Sequence, residues 1–219
     1  MLVSHRKNFI YLKTVKTAST SLESYFEKYC MPEGDWEELH HREEYSSDAG
    51  VIGCRGPNCK GSHFYNHIPA NILKGRLDID IWNSYFKFCS IRNPFDKLVS
   101  AYYHFVKSKN QKLINQSDDI QAFRHWLQAG KLVNDKPVYC IDSIPVMDFF
   151  IRYEHLSNDV EHVCNILDIP YLESEIPSFK RGFRNNDIEL VDFYDVNSLE
   201  IVKSFYGFEL EYFNYSLKG

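Results

Sequence analysis

The first residues that could do chemistry stand in "TVKTASTS", Thr14 to Ser21, where hydroxyl side chains surround a single lysine directly after the apolar run "FIYL". A helix that starts near Ala18 exposes unpaired backbone N–H groups and the positive end of its dipole. Ser19, Thr20 and Ser21 would add hydroxyl donors there, and Lys16 a full positive charge. Together these make an anion site of the phosphate-binding kind. The pattern G-x-x-x-x-G-K-[ST] is absent and the lysine precedes the hydroxyls, so this is not the usual nucleotide-triphosphate loop. Taken alone, the same cluster also fits a helix cap.

A second group lies in "IRNPFDKLVS". Arg92 ends an apolar run, and Ser100 follows eight residues later. Arginine suits bidentate contact with phosphate, and a serine hydroxyl adds a donor. The alternative is that Arg92 pairs with Asp96 and that Ser100 is a small helix residue.

Both groups need elements to position them. "NFIYLKTV", Asn8 to Val15, reads as a buried strand. After it Leu22, Tyr25, Phe26 and Tyr29 recur at i, i+3, i+4 and i+7, the stripe of a helix. "YFKFCSI", Tyr85 to Ile91, is a second buried strand. Asn93 then caps a helix, Pro94 suits its first turn, and Phe95, Leu98, Val99, Tyr102 and Tyr103 form its apolar stripe. "VMDFFIRYE", Val146 to Glu154, is a third strand, and Val160, Val163, Cys164 and Leu167 stripe the helix behind it. A short helix around Ile120 to Ala129 ends at Gly130, and a last one runs from Ser198 to Tyr206. Met31 to His67 has no sustained period and reads as loop with short elements. Strands alternating with helices predict an α/β fold with a largely parallel sheet, whose ligands bind at the carboxyl ends of the strands. There the two groups would face one pocket.

The 219 residues, 44% hydrophobic and 25% charged, describe an ordinary globular chain long enough for its own core. We expect a single domain over 1–219, with no membrane span and no signal peptide, and hence a cytoplasmic protein or an excised catalytic domain. A net charge of −5 gives no footprint for nucleic acid, so any bound anion must be held by local basic groups. Six cysteines, at 30, 54, 59, 89, 140 and 164, do not form a secreted disulfide pattern and are expected as reduced thiols. Cys89 and Cys164 fall on apolar stripes and read as core.

Taken together, "YLKTVKTASTSLESYF" and "FKFCSIRNPFDKLVSAYYHF" resemble the two phosphate segments of the sulfotransferases that use 3′-phosphoadenosine-5′-phosphosulfate (PAPS). "RYEHLSNDVEHVCNILDIP" and "VKSFYGFELEYFNYSL" are similar to later segments of the carbohydrate-type branch; 31–62 and 108–145 carry no such likeness. The resemblance implies a P-loop-NTPase-like three-layer fold, a central mostly parallel sheet flanked by helices. It implies that Lys16 contacts the phosphosulfate bridge, that Thr17, Ala18, Ser19, Thr20 and Ser21 bind the 5′-phosphate and sulfonate, and that Arg92 and Ser100 bind the 3′-phosphate. Val15 stands where a proline often precedes the family's lysine. "SFKRGFRNND" is similar to a basic segment that closes over the 3′-phosphate, which would assign Lys180 and Arg181; a solvated basic loop is the alternative.

Sulfuryl transfer needs a base for the acceptor hydroxyl. "NHIP" is similar to the family's histidine segment and nominates His67, a residue poised near neutral pH; His63, Glu43 and Glu44 are the other candidates. Cys54, Cys59, His63 and His67 also spell C-x4-C-x3-H-x3-H, a set that suits tetrahedral zinc. The resemblance itself implies transfer without a metal, PAPS as donor, and a carbohydrate or other hydroxyl-bearing acceptor. A nucleotide-dependent kinase and a non-catalytic glycan- or nucleotide-binding module are the alternatives.

Overall fold

The computed structural model describes residues 1–108, 116–130, 132–177 and 188–218. Its strands are β1 (Leu2–Ser4), β2 (Phe9–Leu12), β3 (Tyr45–Ser47), β4 (Gly50–Ile52), β5 (Phe86–Ile91), β6 (Cys140–Ile141), β7 (Ile144–Pro145) and β8 (Phe149–Arg152). The α-helices are α1 (Ser19–Glu27), α2 (Ala70–Arg76), α3 (Ile79–Ser84), α4 (Pro94–Ser108), α5 (Gln116–Gln128), α6 (Lys136–Tyr139), α7 (Leu156–Ile166) and α8 (Val196–Tyr212). The fold is mixed α/β around a six-stranded sheet of order β3-β4-β1-β2-β5-β8, and β6 and β7 make a separate hairpin.

The sheet has two halves of different construction. β2, β5 and β8 pair in parallel, with Tyr11 opposite Phe88 and Ser90 opposite Ile151. β1 pairs antiparallel with both β2 and β4, and β3 pairs antiparallel with β4. β4 therefore points the same way as β2, β5 and β8, and four of the six strands share one direction. The parallel half is the one expected from the apolar runs; the antiparallel half was not. β1, β3 and β4 are three residues each, too short to show the alternation by which a strand is read. Gly50 joins them closely: its φ is 155°, and a Cβ there would lie 2.2 Å from the Val3 carbonyl oxygen.

The chain divides into two compact units, Met1–Ile91 with Asn134–Phe179, and Arg92–Val133 with Lys180–Gly219. In the first, Phe9 and Tyr11 of β2, Phe88 of β5 and Ile151 of β8 are buried against Leu22, Tyr25 and Phe26 of α1 and Val160, Val163 and Cys164 of α7. The helical stripes expected on α1 and α7 are buried here except for Tyr29, which lies in the 3-10 turn Lys28–Cys30 after α1 and is only partly buried. Each such apolar side chain contributes about 1.5–3 kcal/mol on burial. Cys89 and Cys164 are core residues, as expected.

The second unit packs α4, α5 and α8 around Leu98, Tyr102, Phe123, Trp126, Val202 and Tyr206. Asn93 caps α4 by accepting a hydrogen bond from the Phe95 amide at 3.1 Å, and Gly130 ends α5 with a φ of 71°. α8 extends past the predicted Tyr206, where the backbone leaves helical geometry while the Tyr206 hydroxyl donates to the Val133 carbonyl at 2.7 Å.

Candidate active site

β2 runs straight into the hydroxyl-rich turn, and α1 leaves it with Ala18 at its N-cap position. Lys16 (φ 63°) and Ala18 (φ 57°) both take the left-handed conformation that glycine usually supplies. A left-handed non-glycine residue costs roughly 1–2 kcal/mol, so neighbouring contacts must hold the turn. They do. Thr14 Oγ1 donates to the Ser90 carbonyl and lies 2.8 Å from Thr17 Oγ1, which is itself 2.8 Å from Ser90 Oγ. Ser19 Oγ donates to the Thr14 carbonyl at 2.5 Å, and Tyr11 reaches Ser90 Oγ at 3.2 Å from below. The Val15 amide points at both carboxylate oxygens of Asp135, each at 3.1 Å.

This wiring divides the predicted phosphate ligands. The hydroxyls of Thr17 and Ser19 are buried and used to shape the turn. The Thr20 side chain is half-buried and its hydroxyl has no partner among the described residues. Ser19 and Thr20, as the first residues of α1, have amides without intrahelical acceptors. Lys16 stands half-buried in the turn, and Ser21 is 6% exposed. What the turn offers an anion is therefore backbone N–H, the Thr20 hydroxyl and the Lys16 charge.

His67 belongs to the same unit and is tied to the same turn. Its Nδ1 lies 2.9 Å from the carbonyl oxygen of Lys13, an acceptor, so Nδ1 carries the proton and Nε2 is left with its lone pair. Cys54 holds the segment in front of it: the Cys54 amide donates to the Phe64 carbonyl at 2.8 Å, and the Asn66 amide to the Cys54 carbonyl at 3.0 Å. Burial pushes the His67 pKa below the ordinary imidazole value. The nearby Lys13 ammonium acts in the same sense and the Asp135 carboxylate opposes it. Of the other base candidates, His63 and Glu43 are exposed, and Glu44 accepts the His63 amide at 2.7 Å.

Behind the turn lies a buried charge network. Glu23 of α1, fully buried, takes the Lys13 ammonium at 2.7 Å, the Met1 amino group at 2.7 Å and Arg55 at 2.8 Å. Arg55 also pairs with Glu27 at 2.9 Å, and Arg42 joins Glu27 at 3.1 Å. Three cations hold the Glu23 carboxyl far below the usual carboxylate range despite its burial. The network fixes the end of β2 against α1, and with it the carbonyl that orients His67.

In the other unit, Arg92 pairs with Asp96 through Nε at 2.7 Å and Nη2 at 2.6 Å, the pairing the sequence left open. Ser100, on α4, is half-buried, and its hydroxyl has no partner among the described residues. Lys180 and Arg181 lie outside the described residues.

One expectation is corrected, and an alternative falls with it. Cys54 and Cys59 are joined in a disulfide, with Cα atoms 5.4 Å apart, rather than standing as reduced thiols. Their sulfurs are bonded to each other and the His67 ring is bound to Lys13, so the four residues do not form the tetrahedral zinc set. Among the described residues no cluster of histidine, cysteine and carboxylate side chains suits a metal. No α-helix among them is long and apolar enough to cross a membrane.

Sequence reasoning passed over Asp135, Ser90, Thr14 and Lys13. Ser90 carried a faint signal, a hydroxyl inside an apolar strand; Asp135, in a polar and variable stretch, carried none.

A profile of the sulfotransferase family matches residues 1–216. The chain belongs to the sulfotransferase family. Among curated relatives, this sulfotransferase-family chain is 28% identical to cytosolic sulfotransferase 15 of Arabidopsis thaliana over 123 residues, 52% of its own length and 33% of the plant protein's. It is 26% identical over 110 residues to an uncharacterized protein of Archaeoglobus fulgidus, covering 47% of the chain and 84% of that protein. The chain thus spans only about a third of the plant relative it matches. No solved structure gives a significant match.

Proposed function

We propose that this chain is a PAPS-dependent sulfotransferase that passes a sulfuryl group to a hydroxyl, on a carbohydrate for preference. The carrying observation is the turn at Lys16 and Ala18, left-handed without glycine, facing the first amides of α1 beside a histidine whose Nε2 can accept a proton. These groups fit a 5′-phosphosulfate: N–H donors, one hydroxyl and one ammonium suit a dense anion. The family match runs through both compact units, which supports reading 1–219 as one sulfotransferase domain.

In this reading His67 Nε2 takes the proton of the acceptor hydroxyl as its oxygen bonds to sulfur. The bond from sulfur to the 5′-phosphate oxygen breaks in line, and Lys16 with the amides of Ser19 and Thr20 stabilises the charge left on that phosphate. Preorganised donors of this kind contribute on the order of 3–4 kcal/mol each in enzymes. Thr17, Ala18 and Ser21 complete the 5′ turn. Arg92 and Ser100, with Lys180 and Arg181, are assigned the 3′-phosphate on family membership, and Asp96 orients the Arg92 guanidinium. PAPS supplies the activated sulfuryl group, and the assignment calls for no metal.

The disulfide bears on location. A bond between Cys54 and Cys59 persists in oxidising surroundings, which weighs against the cytoplasm expected from the sequence.

Transfer of label from PAPS to a panel of hydroxyl-bearing glycans and small acceptors tests the function. Thermal shift with 3′,5′-adenosine bisphosphate (PAP) against ATP with Mg²⁺ tests the donor. We expect PAP to stabilise by about 2.7 kcal/mol at a hundredfold excess over its Kd. Stabilisation by ATP alone would favour the kinase, and PAP binding without transfer to any acceptor would favour the non-catalytic module.

A further inference from the structure

Asp135 is a carboxylate at 2% exposure, placed beside a turn assigned to hold two anionic groups. A buried negative charge there repels the ligand unless it does other work. It stands just before α6, and both of its oxygens straddle the amide of Val15, the residue in front of Lys16. Val15 is also where the family's rigidifying proline often stands, and a proline would have no N–H to give. An anchored amide here does by hydrogen bonding what a fixed ring does by covalent geometry.

His67 is tied to the Lys13 carbonyl, two residues before the amide that Asp135 holds, and the same carboxylate acts on its ring through space. The charged groups around that ring are the Lys13 ammonium at the end of β2, the Met1 amino group at the head of β1 and Asp135 before α6. Of these only Asp135 favours the imidazolium that forms when His67 takes a proton; the two cations oppose it.

We propose that Asp135 is a positioning residue for sulfuryl transfer, pinning the Val15 amide so that Lys16 holds its left-handed turn, and supplying the negative charge against which His67 accepts the acceptor's proton. The inference rests on the sulfotransferase reading for its chemistry but not for its geometry.

Two variants separate the roles. Asp135→Asn keeps an oxygen for Val15 and removes the charge; Asp135→Ala removes both. We expect the His67 ring of the Asp135→Asn variant, followed by NMR against a His67→Gln reference spectrum, to titrate at lower pH than in the wild type. PAP affinity by calorimetry should stay near wild type or tighten in that variant. In Asp135→Ala it should fall about tenfold, the value of one charge-assisted hydrogen bond. An unshifted His67 titration in Asp135→Asn overturns the proposal, as does wild-type PAP affinity in a folded Asp135→Ala. If Asp135→Ala does not fold, the Asp135→Asn titration decides alone. If the wild type itself does not bind PAP, the sulfotransferase reading fails separately, and the titration still decides whether Asp135 acts on that ring.

Discussion

Lys16 and Arg92 are both cations assigned to phosphates, yet their losses should be distinguishable. Lys16→Ala should lower kcat by roughly 10²–10³ if its charge meets the departing phosphate as proposed, while Arg92→Ala should raise the Kd for PAP and leave more of kcat intact. Labelled transfer and calorimetry read the two effects; equal turnover by both variants and wild type would sink the assignment. His67→Gln should cost ~10²–10⁴ in rate. Because burial and Lys13 lower the His67 pKa, its neutral form persists to more acid pH than an ordinary imidazole. The acid limb of kcat/KM should therefore fall below about pH 6.5, the unperturbed value, and a limb above it would point to another base. At this scale residue type and spacing nominated the candidate ligands. Which of their hydroxyls are free to face outward was not legible: Thr17 turns inward onto Ser90, 73 positions away, and Ser19 onto the Thr14 carbonyl.

At the scale of elements, the Glu23 network is what fastens α1 to the end of β2. Removing one partner of a buried ionic cluster costs about 3–5 kcal/mol, since the remaining charges stay buried and uncompensated. Glu23→Gln should lose stability on that order in chemical denaturation. The folded pKa of Glu23 is depressed, so its contribution is complete above the unfolded value of 4.5 and is lost as pH falls from there through the folded pKa. The wild type should thus lose more stability on acidification than the variant, and identical pH curves would refute the role. β2, β5, β8 and the helices behind them could be read because their apolar runs and stripes are long enough to have a period. β1, β3 and β4 could not, and Glu23 sat on a polar-looking face of α1 until Arg55 and Lys13 were brought to it by the fold.

For the whole molecule, net charge and family match pull together: a chain of net charge −5 must gather its anion-binding groups locally, and that was clear from composition. The redox state was not, because a pair of cysteines five apart in an irregular stretch looks the same bonded or free. Peptide mapping without reductant should find Cys54 joined to Cys59, leaving Cys30, Cys89, Cys140 and Cys164 as buried thiols. Replacing both linked cysteines by serine should cost about 2 kcal/mol, as expected for so short a loop; recovery of six alkylated cysteines from unreduced protein unfolded in denaturant would exclude the bond. The left-handed turn carries an evolutionary consequence as well. Glycine at position 16 or 18 would relieve local backbone strain, yet at 16 it would delete the ammonium that the proposal assigns to the transfer. A library screened for heat resistance and one screened for turnover should therefore diverge at residue 16 and agree at residue 18.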